Sequence, residues 1–555
     1  MRLRFLGAVG AVTGSAYLLE HHRTDDLVLI DFGMSQGEPD SEERNRVPLP
    51  FDPRRLTAVV LTHAHTDHSG LIPRLYREGY TGTVTTLHAT AWLAHLLLRD
   101  AADRNRRLFT SSDVAKIVWH QPDGALSGIA SGLGNGLTIR FSRSGHILGA
   151  ASVTITGQPD RRPVSITFSG DIGPNPEGAE SLPLVSHGQT PIETDYVVME
   201  STYGATIRKG LSVEHRLQHL ATEIERGLFE QRGVVVIPCC AVGRTQDVLL
   251  DLTLLFARRP DLFRDIPVWF DAPLAGRVSH AYAGALGETF NAQRGVAKHA
   301  WIGTGLTRLL GLLPNQEDIA VDCVREMLLH DHVRTQVRPG WLKHWRRIWE
   351  LFRDDSQRHR VGGPAIIITG GGMCTGGRVH GHLARLLGEA TTTVLMPGYA
   401  PKATVAGTLL RFADAGTTMR PSSSWRLNLG REGTFRVRDI QASIRRMDGY
   451  SGHRDQLGLV DWLFGDGKDR LLAPTVFITH GEDAARRSLQ DAILSHALHL
   501  GQPVHIERPT PSSGWYDLGR GTWSYELPHV SPLPQHRLSF RHGHELPSHE
   551  FGLNV

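Results

Sequence analysis

Four potential metal ligands occupy six consecutive positions of the chain. They are His63, His65, Asp67 and His68, in the segment HAHTDH that follows the β-rich run LTAVVLT. In an extended segment His63 and His65 point to the same side, and the turn into a helix beginning near Ser69 brings the other two beside them. Imidazole nitrogens and carboxylate oxygens are ligands that zinc takes in catalytic sites. The spacing predicts a loop that serves two adjacent metal ions, and the alternative is a set of unrelated surface histidines.

Three further candidate ligands follow other β-rich runs. They are His146 in SRSGHILGA, Asp171 in FSGDIG and His480 in FITHGE. Each is flanked by small residues, as expected where a side chain must approach a metal closely. Any one of them alone would more often be a cap or turn residue. Their joint occurrence with HAHTDH predicts the rest of a two-metal site.

The elements that must position these residues are those of a layered α/β protein. Short apolar runs end abruptly in small or polar residues: DLVLIDFG, LTAVVLTHAH, PVSITFSGDIG, DYVVMEST, GVVVIPCCAVGR, IPVWFDAP, PAIIITGGGM, TTTVLMPGY and PTVFITHGE. Such runs indicate strands buried on both faces, with the chemistry on the loops that follow the strands. The metal-type residues lie before about residue 205 and after about residue 435. The segment between them is therefore predicted to be an inserted domain.

The composition restricts the class of protein. With 555 residues, 40% of them hydrophobic, the chain is long enough for two or three folded domains. A net charge of +3 does not by itself indicate a nucleic-acid binder, so an anionic partner must be bound by a local patch. Four cysteines without a CxxC pair argue against a disulfide framework or a cysteine-based zinc finger. Glycines interrupt the N-terminal apolar run, and no window approaches the roughly 18 apolar residues that span a bilayer. We expect a cytoplasmic protein without a membrane partner.

Motifs along nearly the whole chain resemble those of the β-CASP family of nucleases with a metallo-β-lactamase fold. Asp31 in LIDFG resembles the family's first acidic position, which orients the metal loop. Glu200 in MESTYG resembles motif A, His453 in GYSGHRDQ resembles motif B, and His480 in THGE resembles motif C. The blocks AVGRTQD, FDAPLA, GGGMCTGGR and PGY resemble patterns of the family's inserted domain.

The resemblance implies a fold and a division into domains. The expected fold is α/β, a metallo-β-lactamase αββα sandwich with an inserted α/β β-CASP domain. Residues 1–204 and 436–531 would form the two parts of the metallo-β-lactamase domain, and residues 205–435 the insert. Residues 532–555, rich in Pro and His, would form a C-terminal tail whose partner is unknown.

The resemblance also implies the roles of the site residues around two zinc ions, with manganese left open as the metal. One ion would be held by His63, His65 and His146 and the other by Asp67, His68 and His480, with Asp171 bridging them. His453, supported by Glu200, would protonate the leaving oxygen, so that Asp67, Glu200 and His453 are the expected catalytic residues. From the residues alone, a helix N-terminal cap is an equally good role for His453.

The implied substrate is single-stranded RNA, because RNA-directed members of the family carry His at motif C. Two metal ions can clamp the attacking and departing oxygens of a phosphodiester. The resemblance implies a dizinc endoribonuclease that leaves 5′-phosphate and 3′-hydroxyl ends, with 5′-exonuclease activity left open. A DNA nuclease, a small-molecule metallo-hydrolase and a non-catalytic RNA-binding subunit are the alternatives.

Four residues are candidate contacts to RNA phosphates: Arg244, Gly376, Gly377 and Arg378. Backbone NH groups and guanidinium groups at loops or helix N-termini suit phosphate, and tight-turn packing is the alternative. The sequence departs from the family pattern at the cysteine pair before AVGR and at APKATVAGTLL after PGY, which affects the expected RNA positioning. A homodimer, common in the family, and the roles of the extra segments 100–135 and 285–355 stay open.

Overall fold

The structure is a computed structural model, and only part of the chain is described by it. The described residues are 1–38, 40–174, 184, 188–208, 212–263, 266–288, 299–303, 305–329, 352–354, 364–398, 400–415 and 426–524. The predicted tail 532–555, Tyr399 of the PGY block and parts of the extra segment 285–355 lie outside these residues. Within the described ranges, no helix combines the length and the apolar character that crossing a membrane requires.

Two β-sheets stack on each other and share the largest hydrophobic core. The first has the order β23-β22-β1-β2-β3-β4-β5-β6, with β1 Arg2–Phe5, β2 Ala16–His21, β3 Asp26–Phe32, β4 Ala58–Val60, β5 Thr83–Thr85, β6 Val118–His120, β22 Trp515–Asp517 and β23 Thr522–Ser524. The second has the order β21-β20-β11-β10-β9-β8-β7, with β7 Ser131–Gly132, β8 Leu137–Arg143, β9 Ala151–Gly157, β10 Val164–Phe168, β11 Tyr196–Met199, β20 Thr475–Ile478 and β21 His505–Glu507. Val28 of the first sheet and Ile155 of the second are fully buried in the same core. This shared core makes the two sheets a sandwich.

Helices cover the sandwich on both sides. Those before the insert are α1 Ser41–Arg44, α2 Thr66–Ser69, α3 Ile72–Arg77, α4 His88–Arg104 and α5 Ser111–Ala115. Leu93 and Leu98 of α4 join the core of the two sheets. Leu489 and Ile493 of a later helix pack in a second core with Val476 of β20. The layers are therefore helix, sheet, sheet and helix.

The inserted domain has its own sheet between helices. Its order is β14-β13-β15-β12-β16-β19, with β12 Val234–Cys239, β13 Val268–Asp271, β14 Phe352–Asp354, β15 Ala365–Gly370, β16 Thr393–Pro397 and β19 Ser443–Met447. A separate pair consists of β17 Arg426–Asn428 and β18 Thr434–Arg436. All pairings in the six-stranded sheet are parallel, which explains its continuous apolar runs.

The helices of the insert and those that follow it complete the fold. They are α6 Val213–Glu225, α7 Arg244–Arg258, α8 Pro260–Phe263, α9 Pro273–Leu286, α10 Gly305–Leu309, α11 Glu317–Leu329, α12 Arg378–Leu386, α13 Val405–Ala415, α14 Gln456–Leu463 and α15 Asp483–Leu500. Helix α6 begins after Ser212, whose side chain accepts a hydrogen bond from the His215 backbone NH. Tyr282 of α9 and Leu93 of α4 share one core, so the insert is packed against the sandwich.

The predicted fold class is confirmed. Each of the apolar runs named in the sequence contains a strand, from β3 in DLVLIDFG to β20 in PTVFITHGE. The predicted limits of the domains stay a prediction. Strand β19, at Ser443–Met447, lies beyond residue 435 and pairs with β16 of the inserted sheet.

Candidate active site

The HAHTDH loop joins β4 to helix α2. The helix begins at Thr66, three residues earlier than predicted, and His65 occupies its N-cap position. Asp67 and His68 therefore lie within the helix and not before it. The backbone of Asp67 packs against Gly33, where a Cβ atom would lie 1.5 Å from the Asp67 carbonyl oxygen. Only glycine allows this approach of β3 to the ligand loop.

The structure brings all seven predicted ligands together in two adjacent groups. The first group comprises His63, His65, His146 and Asp171, and the second comprises Asp67, His68 and His480, with the ligand atoms of each group within 4.8 Å of one another. In the first group, Nε2 of His63 and Nε2 of His146 lie 3.2 and 3.1 Å from Nδ1 of His65. In the second, Nε2 of His480 lies 3.9 Å from Oδ2 of Asp67.

Asp171 faces both groups at once. Its Oδ2 lies 3.4 Å from Nε2 of His63 and 3.4 Å from Nε2 of His146. Its Oδ1 lies 3.2 Å from Nε2 of His68 and 3.4 Å from Nε2 of His480. Each carboxylate oxygen therefore faces one group. A ligand that bridges two metal ions has this arrangement.

Asp31 orients the ligand loop from beneath. Its two oxygens accept hydrogen bonds from the backbone NH and the hydroxyl of Thr62, both at 2.8 Å. Nδ1 of His68 donates to Oδ2 of Asp31 at 2.7 Å, which leaves Nε2 of His68 directed at Asp171. Asp31 has a left-handed backbone with φ of 55°, a strained conformation of the kind found at functional sites.

Three partners of the ligands were not identified from the sequence. The hydroxyl of Thr62 donates to Asp31 and can accept from Nδ1 of His63 at 3.2 Å. The hydroxyl of Ser15 lies 2.8 Å from Nδ1 of His480. Nδ1 of His146 donates to the carbonyl oxygen of Gly452 at 2.7 Å. Hydrogen bonds to the second ring nitrogen fix the orientation of a metal-binding histidine.

The electrostatics of the first group suit neutral ligands. Burial, assisted by neighbouring histidines, lowers the pKa values of His63, His65 and His146 well below the ordinary value. Their imidazoles are therefore neutral near pH 7, the form in which histidine binds a metal.

The second group suits a cation. Burial alone would raise the pKa of Asp171, but His480 and His68 outweigh it and hold that pKa well below its usual range. Burial likewise opposes the charged form of His68, yet Asp171 and Asp31 raise its pKa well above the ordinary value. The buried atoms Nε2 of His68 and Oδ1 of Asp171 lie 3.2 Å apart but do not have the geometry of a hydrogen bond, and neither has another hydrogen-bond partner among the described residues. Buried polar atoms of this kind need an explanation, and a shared metal ion supplies one.

His453 and Glu200 lie beside the first group. Nδ1 of His453 donates to Glu200, 3.1 and 3.2 Å from its two carboxylate oxygens, and Nε2 lies 3.9 Å from Oδ2 of Asp171. Glu200 is 1% exposed and also accepts from the backbone NH of Ile172 at 2.6 Å. The N-cap of α14 is Asp455, whose side chain accepts from the Gly458 NH. His453 is thus not the helix cap that the sequence left open.

The four candidate phosphate contacts lie at the N-termini of two helices. Arg244 is the first residue of α7, and its Nη1 lies 3.2 Å from Oδ2 of Asp247. It also lies near Gly452 of the site, where a Cβ atom would be 3.4 Å from Nη2 of Arg244. Arg378 starts α12 and pairs with Asp271 at 2.6 Å, while its side chain stays 45% exposed. Gly376 and Gly377 have open space where a side chain would be. Arg244 is therefore next to the ligand groups, and the glycine loop is an open surface.

Three family descriptions match successive parts of the chain. The metallo-beta-lactamase superfamily matches residues 9–195, the Beta-Casp domain residues 245–409, and the Zn-dependent metallo-hydrolase RNA specificity domain residues 437–506. Together these matches cover most of the sandwich, most of the insert and the segment that carries His453 and His480.

Curated relatives match over most of the chain. It is 31% identical to Ribonuclease TTHA0252 of Thermus thermophilus, over 87% of this chain and 94% of that protein. It is 24% identical to Transcription termination factor FttA of Methanosarcina mazei, over 89% of this chain and 69% of that protein. For FttA of Thermococcus kodakarensis the identity is 26%, over 92% of this chain and 70% of that protein. The chain therefore belongs to the β-CASP family of proteins with a metallo-β-lactamase fold.

Proposed function

We propose that this chain is a metal-dependent ribonuclease that cleaves single-stranded RNA internally and leaves 5′-phosphate and 3′-hydroxyl ends. The observation that carries the proposal is the position of His453, whose Nε2 lies 3.9 Å from the oxygen of Asp171 that faces the first ligand group. Phosphodiester cleavage needs a group that protonates the leaving oxygen, and His453 offers such a group at the edge of the two ligand groups. The names of the relatives, a ribonuclease and transcription termination factors, favour RNA as the substrate.

The proposed metals are two zinc ions. His63, His65 and His146 would hold one, Asp67, His68 and His480 the other, and Asp171 would bind both. A donor set of imidazoles and carboxylates suits zinc, although the same ligands also bind manganese when it is supplied. When bound, such a pair supplies a nucleophile from water near neutral pH and offsets the phosphate charge.

His453 and Glu200 are proposed to act on the leaving group. His453 donates Nδ1–H to Glu200, so its Nε2 is the atom that faces the reacting phosphate. Burial opposes protonation of His453, but Glu200 and Asp171 outweigh it and raise its pKa. We propose that Nε2 gives its proton to the departing 3′ oxygen, while Glu200 stabilises the charged ring and fixes its orientation.

We propose that RNA reaches the site from the side on which its side chains are most exposed. The side chains of Asp67 and His453 are each 20% exposed, whereas those of His63, His68, His146 and Asp171 are 3% exposed or less. Arg244 lies on this side, because its guanidinium group is close to Gly452. We propose that Arg244 binds a phosphate next to the scissile one, and that Gly376, Gly377 and Arg378 bind the RNA backbone further along.

The test is cleavage of 5′-labelled and internally labelled single-stranded RNA, and of matching DNA, by purified protein. Asp67→Ala removes a proposed ligand, and Asp103→Ala is the control, because the Asp103 side chain is 76% exposed. We expect internal RNA fragments with the wild type and the control and a loss of at least about a thousandfold with Asp67→Ala. RNA left intact by a protein that carries its metals, or equal cleavage by Asp67→Ala, would contradict the proposal.

A further inference from the structure

Two side chains from helices of the inserted domain and one from the segment after β19 form a buried hydrogen-bonded cluster outside the ligand groups. Nε and Nη2 of Arg216 donate to the two carboxylate oxygens of Asp251 at 2.7 and 3.0 Å. The hydroxyl of Tyr450 donates to Oδ2 of Asp251 at 2.6 Å. Each of the three is at most 1% exposed. We call these residues the Tyr450 cluster.

The cluster connects two helices to the chain that carries His453. Arg216 belongs to α6 and Asp251 to α7, whereas Tyr450 lies in the turn between β19 and α14. Residues 449–453 of this connection, which we call the turn 449–453, include both Tyr450 and His453. Tyr450 is therefore the point at which the insert holds the segment bearing the proposed proton donor.

The turn is also held at its other residues. Gly449 has φ of 86°, and a Cβ atom there would lie 3.1 Å from Cγ of Arg216, so the turn packs directly on the Arg216 side chain. The carbonyl oxygen of Gly452 accepts from Nδ1 of His146, and the guanidinium group of Arg208 donates to the carbonyl oxygen of His453. A displacement at Tyr450 would therefore change the position of His453.

Stability alone is a weak reason for such a cluster. A buried ion pair loses the hydration of both charges, and apolar side chains of the same volume often stabilise a fold as well or better. Directional hydrogen bonds to a carboxylate instead fix the position of each donor group. Phenylalanine would fill the space of the Tyr450 ring but would leave the turn without its directional contact to Asp251.

We propose that Tyr450 is a positioning residue for catalysis. Its hydroxyl, held by Asp251 and Arg216, fixes the turn 449–453 so that Nε2 of His453 faces the scissile phosphate. This inference rests on the proposed ribonuclease function and deepens it, because it assigns to the insert a role in the chemical step as well as in binding. A positioning error near 1 Å can lower a rate by about a hundredfold.

The test is a double-mutant cycle with Tyr450→Phe and His453→Ala, measured by single-turnover cleavage of internally labelled RNA. In the wild-type background we expect Tyr450→Phe to lower the cleavage rate by about 10- to 100-fold, with RNA affinity and metal content unchanged. In the His453→Ala background it should lower the rate by less than about twofold, because the residue that it positions is gone. Arg216→Lys, which keeps the charge but loses the two-point contact to Asp251, should behave in the same way.

Tyr76→Phe is the matched control. It also removes one partly buried tyrosine hydroxyl, which donates to the carbonyl oxygen of Gly82 and accepts from the backbone NH of Val118, neither of which is a residue of the site. We expect it to leave the rate unchanged in both backgrounds. An equal loss from Tyr450→Phe in both backgrounds, or no loss in either, would overturn the inference while leaving the ribonuclease proposal intact. A wild-type protein that does not cut RNA would overturn the proposed function and the inference with it.

Discussion

Nδ1 of His453 lies 3.1 Å from one carboxylate oxygen of Glu200 and 3.2 Å from the other, although 253 residues separate them in the chain. Glu200 follows β11 of the sandwich, and His453 follows β19 of the inserted sheet. The ion pair therefore joins the two domains at the ligand groups. It leaves Nε2 of His453 on the side of Asp171.

Glu200→Gln should change the pH dependence of cleavage. Glu200 and Asp171 raise the pKa of His453 against the effect of burial, so the protonated ring persists to higher pH. The rate should fall as the pH rises through this pKa. Glutamine lacks the charge, so the alkaline fall should move to lower pH by about one unit or more, with about tenfold lower activity at neutral pH. The wild type and the variant have the same ligand groups. If the rate falls at the same alkaline pH in both proteins, this would argue against His453 as the proton donor.

Asp31→Asn should weaken metal binding without removing a ligand. Asparagine tolerates the left-handed backbone of residue 31, but it is a poorer acceptor for the Nδ1 proton of His68. Loss of such an outer partner typically weakens metal affinity by about 10- to 100-fold. Competition with a zinc-binding dye measures the effect. Asp113→Asn, which alters the capping box of α5, is the control and should retain wild-type affinity.

Asp247→Asn should alter how stability depends on pH. Burial raises the pKa of Asp247 from 3.8 to about 6, with Arg244 and Arg216 opposing the change. A carboxyl whose pKa is higher in the folded state stabilises the fold fully below pH 3.8, and this stability is lost as the pH rises through about 6. Relative to the wild type, the variant should therefore gain about 2 kcal/mol in unfolding free energy between pH 4.5 and pH 7.5. Urea unfolding at the two pH values tests this, and a constant difference would refute it.

Removal of the metals should destabilise the sandwich domain. Asp67 and Asp171 belong to adjacent ligand groups, and Asp31 contacts His68 of one of them, so a bound cation would offset the repulsion between these carboxylates. A ligand that binds only the folded state stabilises it in proportion to the logarithm of its concentration over its Kd. We expect chelation to lower the melting temperature by about 5 °C or more, and added zinc to restore it. A melting temperature unaffected by chelation would indicate that these residues do not hold metal ions.

The strands and the ligands were predictable for different reasons. Buried parallel strands leave apolar runs, such as GVVVIPC for β12, that are visible without knowledge of their partners. The close spacing in HAHTDH predicted one loop that presents several ligands. His146, Asp171 and His480 are far apart in the chain, and it was the family resemblance that placed them in groups with that loop.

The partners of the ligands could not be predicted in this way. Ser15 and Thr62 are small polar residues next to strands, and the carbonyl group of Gly452 has no side-chain signal at all. The Tyr450 cluster likewise depends on contacts between residues 35 and 199 positions apart. Such contacts are set by the packing of α6, α7 and the turn 449–453. Local periodicity carries no information about that packing.

We propose that two metal ions, held by seven ligands that include Asp171, are required for the chain to cut RNA. The most direct test is to strip the protein of metal and to measure cleavage of internally labelled RNA as zinc is returned in known equivalents per chain. We expect no cleavage without metal and a rate that reaches its maximum at about two equivalents. Full cleavage by the stripped protein, or a maximum already at about one equivalent, would contradict it.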